Sequence, residues 1–93
     1  MVKLTEREIA ERLSRLREWR REGDAILKTF KFGTFADGIR FVDRVATAAD
    51  AMDHHPDIDI RYTTITMALS THSAGGLTAR DFDLAAQIDA AVR

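Results

Sequence analysis

The sequence predicts an α+β fold: a two-layer sandwich in which three helices cover one face of an antiparallel sheet, in the order α-β-β-α-β-β-α. Three observations carry that prediction. A threonine followed three residues later by an acid occurs at Thr5 with Glu8, Thr34 with Asp37 and Thr78 with Asp81, and each pair reads as a helix start. Between these starts, apolar residues recur at every second position in short runs, the period of a strand with one buried face. The 93 residues make a single domain, 1–93, with a modest core and no room for a linker or second unit.

The first helix, opening at Thr5, turns Ile9, Leu13 and Leu16 to one side at spacings of four and three. Trp19-Arg20-Arg21 and Ala25 to Phe32 flank Glu22-Gly23-Asp24, which predicts a hairpin with a glycine turn and with Ile26, Phe30 and Phe32 on one face. The middle helix, about Thr34 to Met52, is apolar over a wide arc. Phe35, Ile39, Val42, Ala46 and Ala49 form one stripe, and Phe41, Val45, Ala48 and Met52 extend it sideways. Two readings of that width stay open: the extension around Phe41, Val45 and Ala48 packs against the same helix of another subunit, giving a homodimer or homotetramer, or the helix is well buried within the monomer.

After Pro56, Ile58 and Ile60 alternate with Asp57, Asp59 and Arg61. From Tyr62 to Thr71, Ile65, Met67 and Leu69 share one face and Thr64, Thr66 and Ser70 the other, so both runs predict half-buried strands. The last helix, from Thr78, buries Leu84, Ile88 and Ala91.

Composition narrows the function classes. A formal net charge of -1 provides no basic field for nucleic acid, and the arginines from Arg12 to Arg21 are interleaved with glutamates as on a solvated helix face. There is no cysteine, which removes disulfides, thiolate metal sites and a cysteine nucleophile. The N-terminal stretch lacks an apolar signal core, and no apolar run approaches the roughly 20 residues that span a membrane, so a cytoplasmic protein that does not engage a membrane is expected.

All three histidines fall in two short segments, His54-His55-Pro56 and Ser70-Thr71-His72-Ser73, the latter running into Gly75-Gly76. Imidazole both gives and takes a proton near neutrality, so converging histidines suit general acid/base work. Pro56 favours extended backbone at His55 and stops the middle helix, and neighbouring side chains on extended backbone point apart. A zinc site fits poorly: adjacent histidines are awkward ligands for one tetrahedral ion, and no His-x-x-x-His is present. Ser70 and Ser73 lack a nucleophile-elbow context. Asp81 reads as a capping acid, and Asp50 as a carboxylate near the histidine pair.

The spacing Asp50, His54-His55-Pro56, Tyr62, His72, Asp81 resembles the signature of the pterin-4a-carbinolamine dehydratases, and the resemblance extends through Gly23-Asp24-Ala25-Ile26 and Phe30-Lys31-Phe32 to Leu84-Ala85. It implies the same architecture with a four-stranded sheet, and a metal-free, cofactor-free hydro-lyase whose small-molecule substrate is a 4a-hydroxytetrahydropterin. By that resemblance His54, His55 and His72 are the catalytic histidines. It does not say which is acid and which is base, and we take His55 as the principal acid, with His54 and His72 binding the hydroxyl and assisting proton removal. Asp53, Ser70, Thr71 and Ser73 flank the pterin, and Asp50 supports the site. Trp19 and Tyr62 are candidate pocket walls or core residues. Ile58 stands where family members often carry an aromatic. The family also contains dimerisation partners of a transcription regulator, so a non-catalytic, coactivator-like binding module is the alternative.

Overall fold

The structure, a computed structural model, describes residues 2–92. Each helix starts at a hydroxyl that caps it. In α1, Glu6–Ser14, the Thr5 hydroxyl accepts the Glu8 amide at 3.2 Å and the Glu8 carboxylate accepts the Thr5 amide at 2.8 Å, a complete capping box. In α2, Phe35–Met52, the Thr34 hydroxyl accepts the Asp37 amide at 3.1 Å, whereas the Asp37 carboxylate turns outward to Arg40. In α3, Ala79–Ala90, the Thr78 amide donates to Asp81 Oδ2 at 2.9 Å.

The strands are β1, Arg20–Glu22; β2, Ala25–Lys31; β3, Asp57–Arg61; and β4, Thr64–Leu69. They form one antiparallel sheet in the order β1-β2-β4-β3. Gly23, at φ 60°, makes the tight turn between β1 and β2. The register sets Ile26 opposite Leu69 and Phe30 opposite Ile65, so the apolar faces of β2 and β4 coincide beneath the helices. The α+β sandwich with three helices on one face of a four-stranded sheet is therefore the observed fold.

Core packing comes from Phe41, Val45 and Ala49 of α2, Leu84, Ala85 and Ile88 of α3, Ile9 of α1 and Trp19. Phe41 meets the rings of Phe30 and Phe32 at centroid distances of 4.9 and 5.0 Å. Gly38 lets α2 approach β4 closely, since a Cβ there would lie 2.9 Å from Cδ1 of Ile65.

Several expectations need correction. Of the two readings of the wide α2 stripe, burial within the monomer is the one that holds for Phe41 and Val45, which are fully buried and do not reach toward another subunit. Phe35, 50% exposed, and Ala46 face solvent, and Ile39 and Val42 are only partly covered. The helix is rotated relative to that reading because the small residue that permits contact, Gly38, shares the line of Phe41, Val45 and Ala49. α1 ends at Ser14, so Leu16 follows the helix and, like Leu13, is only partly buried. Ile58 and Ile60 remain 39% and 41% exposed. They pair with Met67 and Ile65 on the helix-covered side, but β3 is the sheet edge and the helices do not cover it fully. Tyr62, at φ 53°, belongs to the β3–β4 turn and is exposed, whereas Trp19 is a core residue. No helix among the described residues is long and apolar enough to cross a membrane.

Candidate active site

Helix α2 ends at Asp53, which takes the left-handed conformation at φ 51° and ψ 44°, and this sharp turn redirects the chain into His54-His55-Pro56. The two imidazoles then diverge. His54 points inward and is buried, while His55 points outward and is exposed. At the same end of the sheet, where Asp57 at the start of β3 pairs with Ala68, β4 runs out at Leu69 and the short 3-10 turn His72–Ala74 follows, closed by Gly75.

His54 Nε2 lies 2.6 Å from Oδ1 of Asp81, which is itself 0% exposed. A carboxylate can only accept, so Nε2 carries the hydrogen. Nδ1 of His54 has no hydrogen-bond partner among the described residues, and the side chain as a whole stays 10% exposed. His55 forms a looser version of the same pair: its Nε2 lies 2.9 Å from Oδ1 of Asp50, with both side chains exposed. Exposure to water leaves that pair weak as a source of stability, though still able to orient the ring.

Asp81 is the residue that reading the sequence undervalued. As the third residue of α3 it caps the helix, as expected, and with its other oxygen it holds a histidine. A capping box fully accounts for an acid at that position, which hid the second role. The signature spacing that ends on Asp81 was the available signal.

The flanking polar residues separate. Thr71 is buried, its hydroxyl 2.8 Å from Asp81 Oδ2 and 2.9 Å from the Thr78 hydroxyl. Ser70 donates to the Asp24 carbonyl at 2.7 Å, fastening the end of β4 to the β1–β2 turn. Ser73 and His72 are exposed on the 3-10 turn. Asp53 is exposed, and its carbonyl and that of Met52 accept from the Arg80 guanidinium. One carboxylate thus brings the His54 and Thr71 segments together, and Arg80 beside it fastens the end of α2. Among the described residues no group of three or more His, Asp or Glu is arranged to hold a metal ion. A cleft of about 370 Å³ near the start of α3 is lined by Leu4, Glu8, Thr78, Ala79 and Arg80 among others, and no histidine lines it.

A family model for pterin 4 alpha carbinolamine dehydratase matches residues 2–91. The chain belongs to the pterin-4-alpha-carbinolamine dehydratase family. A provisionally named pterin-4-alpha-carbinolamine dehydratase of Roseiflexus castenholzii is 57% identical over 86 residues, 92% of each chain. One of Nocardia farcinica, named in the same way, is 54% identical over 90 residues, covering 97% of this chain and 95% of the relative. The crystal structure of a transcriptional coactivator/pterin dehydratase from Brucella melitensis superposes with a TM-score of 0.94 at 33% identity, over 98% of this chain and 99% of that one. A pterin dehydratase-like protein described as a RuBisCO assembly factor in the alpha-carboxysome superposes with a TM-score of 0.70 at 26% identity, over 82% and 90% of the two chains. The proteins this chain resembles are thus described in part by activity and in part by what they help assemble.

Proposed function

We propose that this chain is a cytoplasmic hydro-lyase that dehydrates 4a-hydroxytetrahydropterin to quinonoid dihydropterin, serving tetrahydrobiopterin recycling for an aromatic amino acid hydroxylase. The observation that carries the reading is the buried His54–Asp81 pair, found in a chain of the dehydratase family. The C4a–O bond breaks with its electron pair leaving on oxygen. A proton delivered to that oxygen releases water, and removal of the N5 hydrogen lets the C4a–N5 double bond form. No oxidant or reductant is required. The reaction needs one group that gives a proton and one that takes it, which an imidazolium and a neutral imidazole supply.

In this mechanism His54 takes or gives its proton at Nδ1, the nitrogen that Asp81 leaves open. His55, exposed and paired with Asp50, is the principal acid. His72 holds the leaving hydroxyl. Asp53, Ser70 and Ser73, with the backbone at Thr71, flank the pterin.

A second reading is favoured by one observation, the stripe of Phe35, Ile39, Val42 and Ala46 on α2, exposed at Phe35 and Ala46 and incompletely covered at Ile39 and Val42. That stripe suits self-association into a homodimer or homotetramer through the middle helix, or a coactivator-like partner. Measuring quinonoid dihydropterin formation from chemically generated 4a-hydroxytetrahydropterin separates the two. The dehydratase reading predicts acceleration by the protein that persists in the presence of a chelator. No acceleration over the protein-free rate, or loss with chelator and return with zinc, would reject it.

A further inference from the structure

The proposed reaction needs two histidine segments, distant in sequence, to face one substrate, and the network beneath them is arranged to fix their separation. Asp81 Oδ1 takes Nε2–H of His54, just after α2. Asp81 Oδ2 takes the hydroxyl of Thr71, the residue preceding His72, and the amide of Thr78. Counting hydrogens fixes every direction. The carboxylate cannot donate, so the single hydroxyl hydrogen of Thr71 goes to Asp81, and Thr71 must accept from the Thr78 hydroxyl at 2.9 Å. Thr78, having donated, accepts the Arg80 amide at 3.3 Å. The chain of hydrogen bonds from the Arg80 amide through Thr78 and Thr71 to Asp81 therefore runs one way only. All three side chains of Thr71, Thr78 and Asp81 are buried, so water cannot substitute freely for a lost member.

We propose that Asp81 and Thr71 are positioning residues for the acid/base site: their shared network sets the distance between His54 and the His72 turn and holds His54 as the Nε2–H tautomer, with Nδ1 toward the substrate. The Thr71 hydroxyl has no hydrogen left for a ligand, so its contribution is to geometry, through His72 and His54. This inference rests on the dehydration reading for its kinetic readout and on the ring spectrum for an independent one.

Two threonine variants and one spectrum test it. Thr71→Val keeps the shape of the side chain and removes the hydroxyl, while Thr71→Ser keeps the hydroxyl. The expected result is a kcat about 10- to 100-fold lower in Thr71→Val with KM changed less than about twofold, the scale of a misplaced catalytic group. Thr71→Ser should restore kcat to within about threefold, a rescue that a purely packing role for the Thr71 methyl would not produce. In the wild type, ring ¹⁵N shifts of His54 should report the Nε2–H tautomer, and Asp81→Asn should abolish that preference. A folded Thr71→Val with wild-type kcat overturns the proposal, as does a wild-type His54 found as the Nδ1–H tautomer. If the wild type fails to accelerate dehydration at all, the dehydration reading falls, and the wild-type ring spectrum still decides the network's role without any variant.

Discussion

Asp89 illustrates how a single carboxylate can join elements far apart in sequence. Its oxygens accept the Trp19 indole N–H at 3.0 and 3.2 Å and the Lys28 ammonium at 2.8 Å, while Lys28 also lies 5.0 Å from the Phe30 ring centroid. Lys28 is largely covered, so removing its partner leaves a cation and an indole N–H poorly solvated. Asp89→Ala should therefore destabilise the fold by about 1–3 kcal/mol, and Asp89→Asn, which keeps an acceptor for the indole, by less. Chemical denaturation of the two variants checks this, and equal midpoints for Asp89→Ala and wild type would contradict it. Asp81 has the same many-partnered character, with a histidine, a threonine hydroxyl and a helix amide on one side chain. The residue types at Asp81 and Asp89 say nothing of these partners, because the partners lie 27 and 70 positions away for His54 and Trp19.

At the scale of elements, what could be read from sequence was local. The capping boxes at Thr5 and Thr78, the β1–β2 turn at Gly23 and the alternation of Ile65, Met67 and Leu69 are set by interactions within a few residues, and each matches the structure. The face of α2 that turns inward, and the exposure of Ile58 and Ile60 on an edge strand, depend on what packs alongside, which periodicity does not encode. Gly38 held the missed signal for α2, since a small residue on the 38-41-45-49 line marks the side of closest approach. Of the site, the two histidine segments were legible and the Asp81 bridge between them was not. The caps also predict acid behaviour. The Thr5 amide, and then the Thr5 hydroxyl, hold the Glu8 carboxyl below its ordinary value. A depressed acid contributes stability above its unfolded value and loses it as pH falls through the folded one. Thermal midpoints of wild type and Glu8→Gln should differ at pH 7, begin to approach each other as pH falls through the ordinary glutamate range near about 4.3, and converge only below it, once the lowered folded value is passed. A gap that persists in acid would show that the capping charge is not its source.

For the molecule as a whole, the sandwich separates two surfaces. The histidines lie at the end of α2 and beyond β4, while Phe35 and Ala46, with the partly covered Ile39 and Val42, form an incompletely buried apolar stripe along α2. If that stripe joins copies of the chain, Ile39→Glu buries an unpaired carboxylate at the contact and lowers the sedimentation coefficient at equal concentration. Val45→Glu, by contrast, places a charge in the monomer core and should prevent folding. An Ile39→Glu protein that sediments as wild type would remove the stripe from the interface. In the proposed mechanism imidazoles perform the chemistry, and the apolar stripe on α2 takes no part in it. Turnover of 4a-hydroxytetrahydropterin by the folded His54→Ala/His55→Ala/His72→Ala protein tests it most directly. The predicted result is a loss of at least about 10²- to 10⁴-fold, the usual contribution of positioned acids and bases, and turnover at the wild-type rate would contradict it.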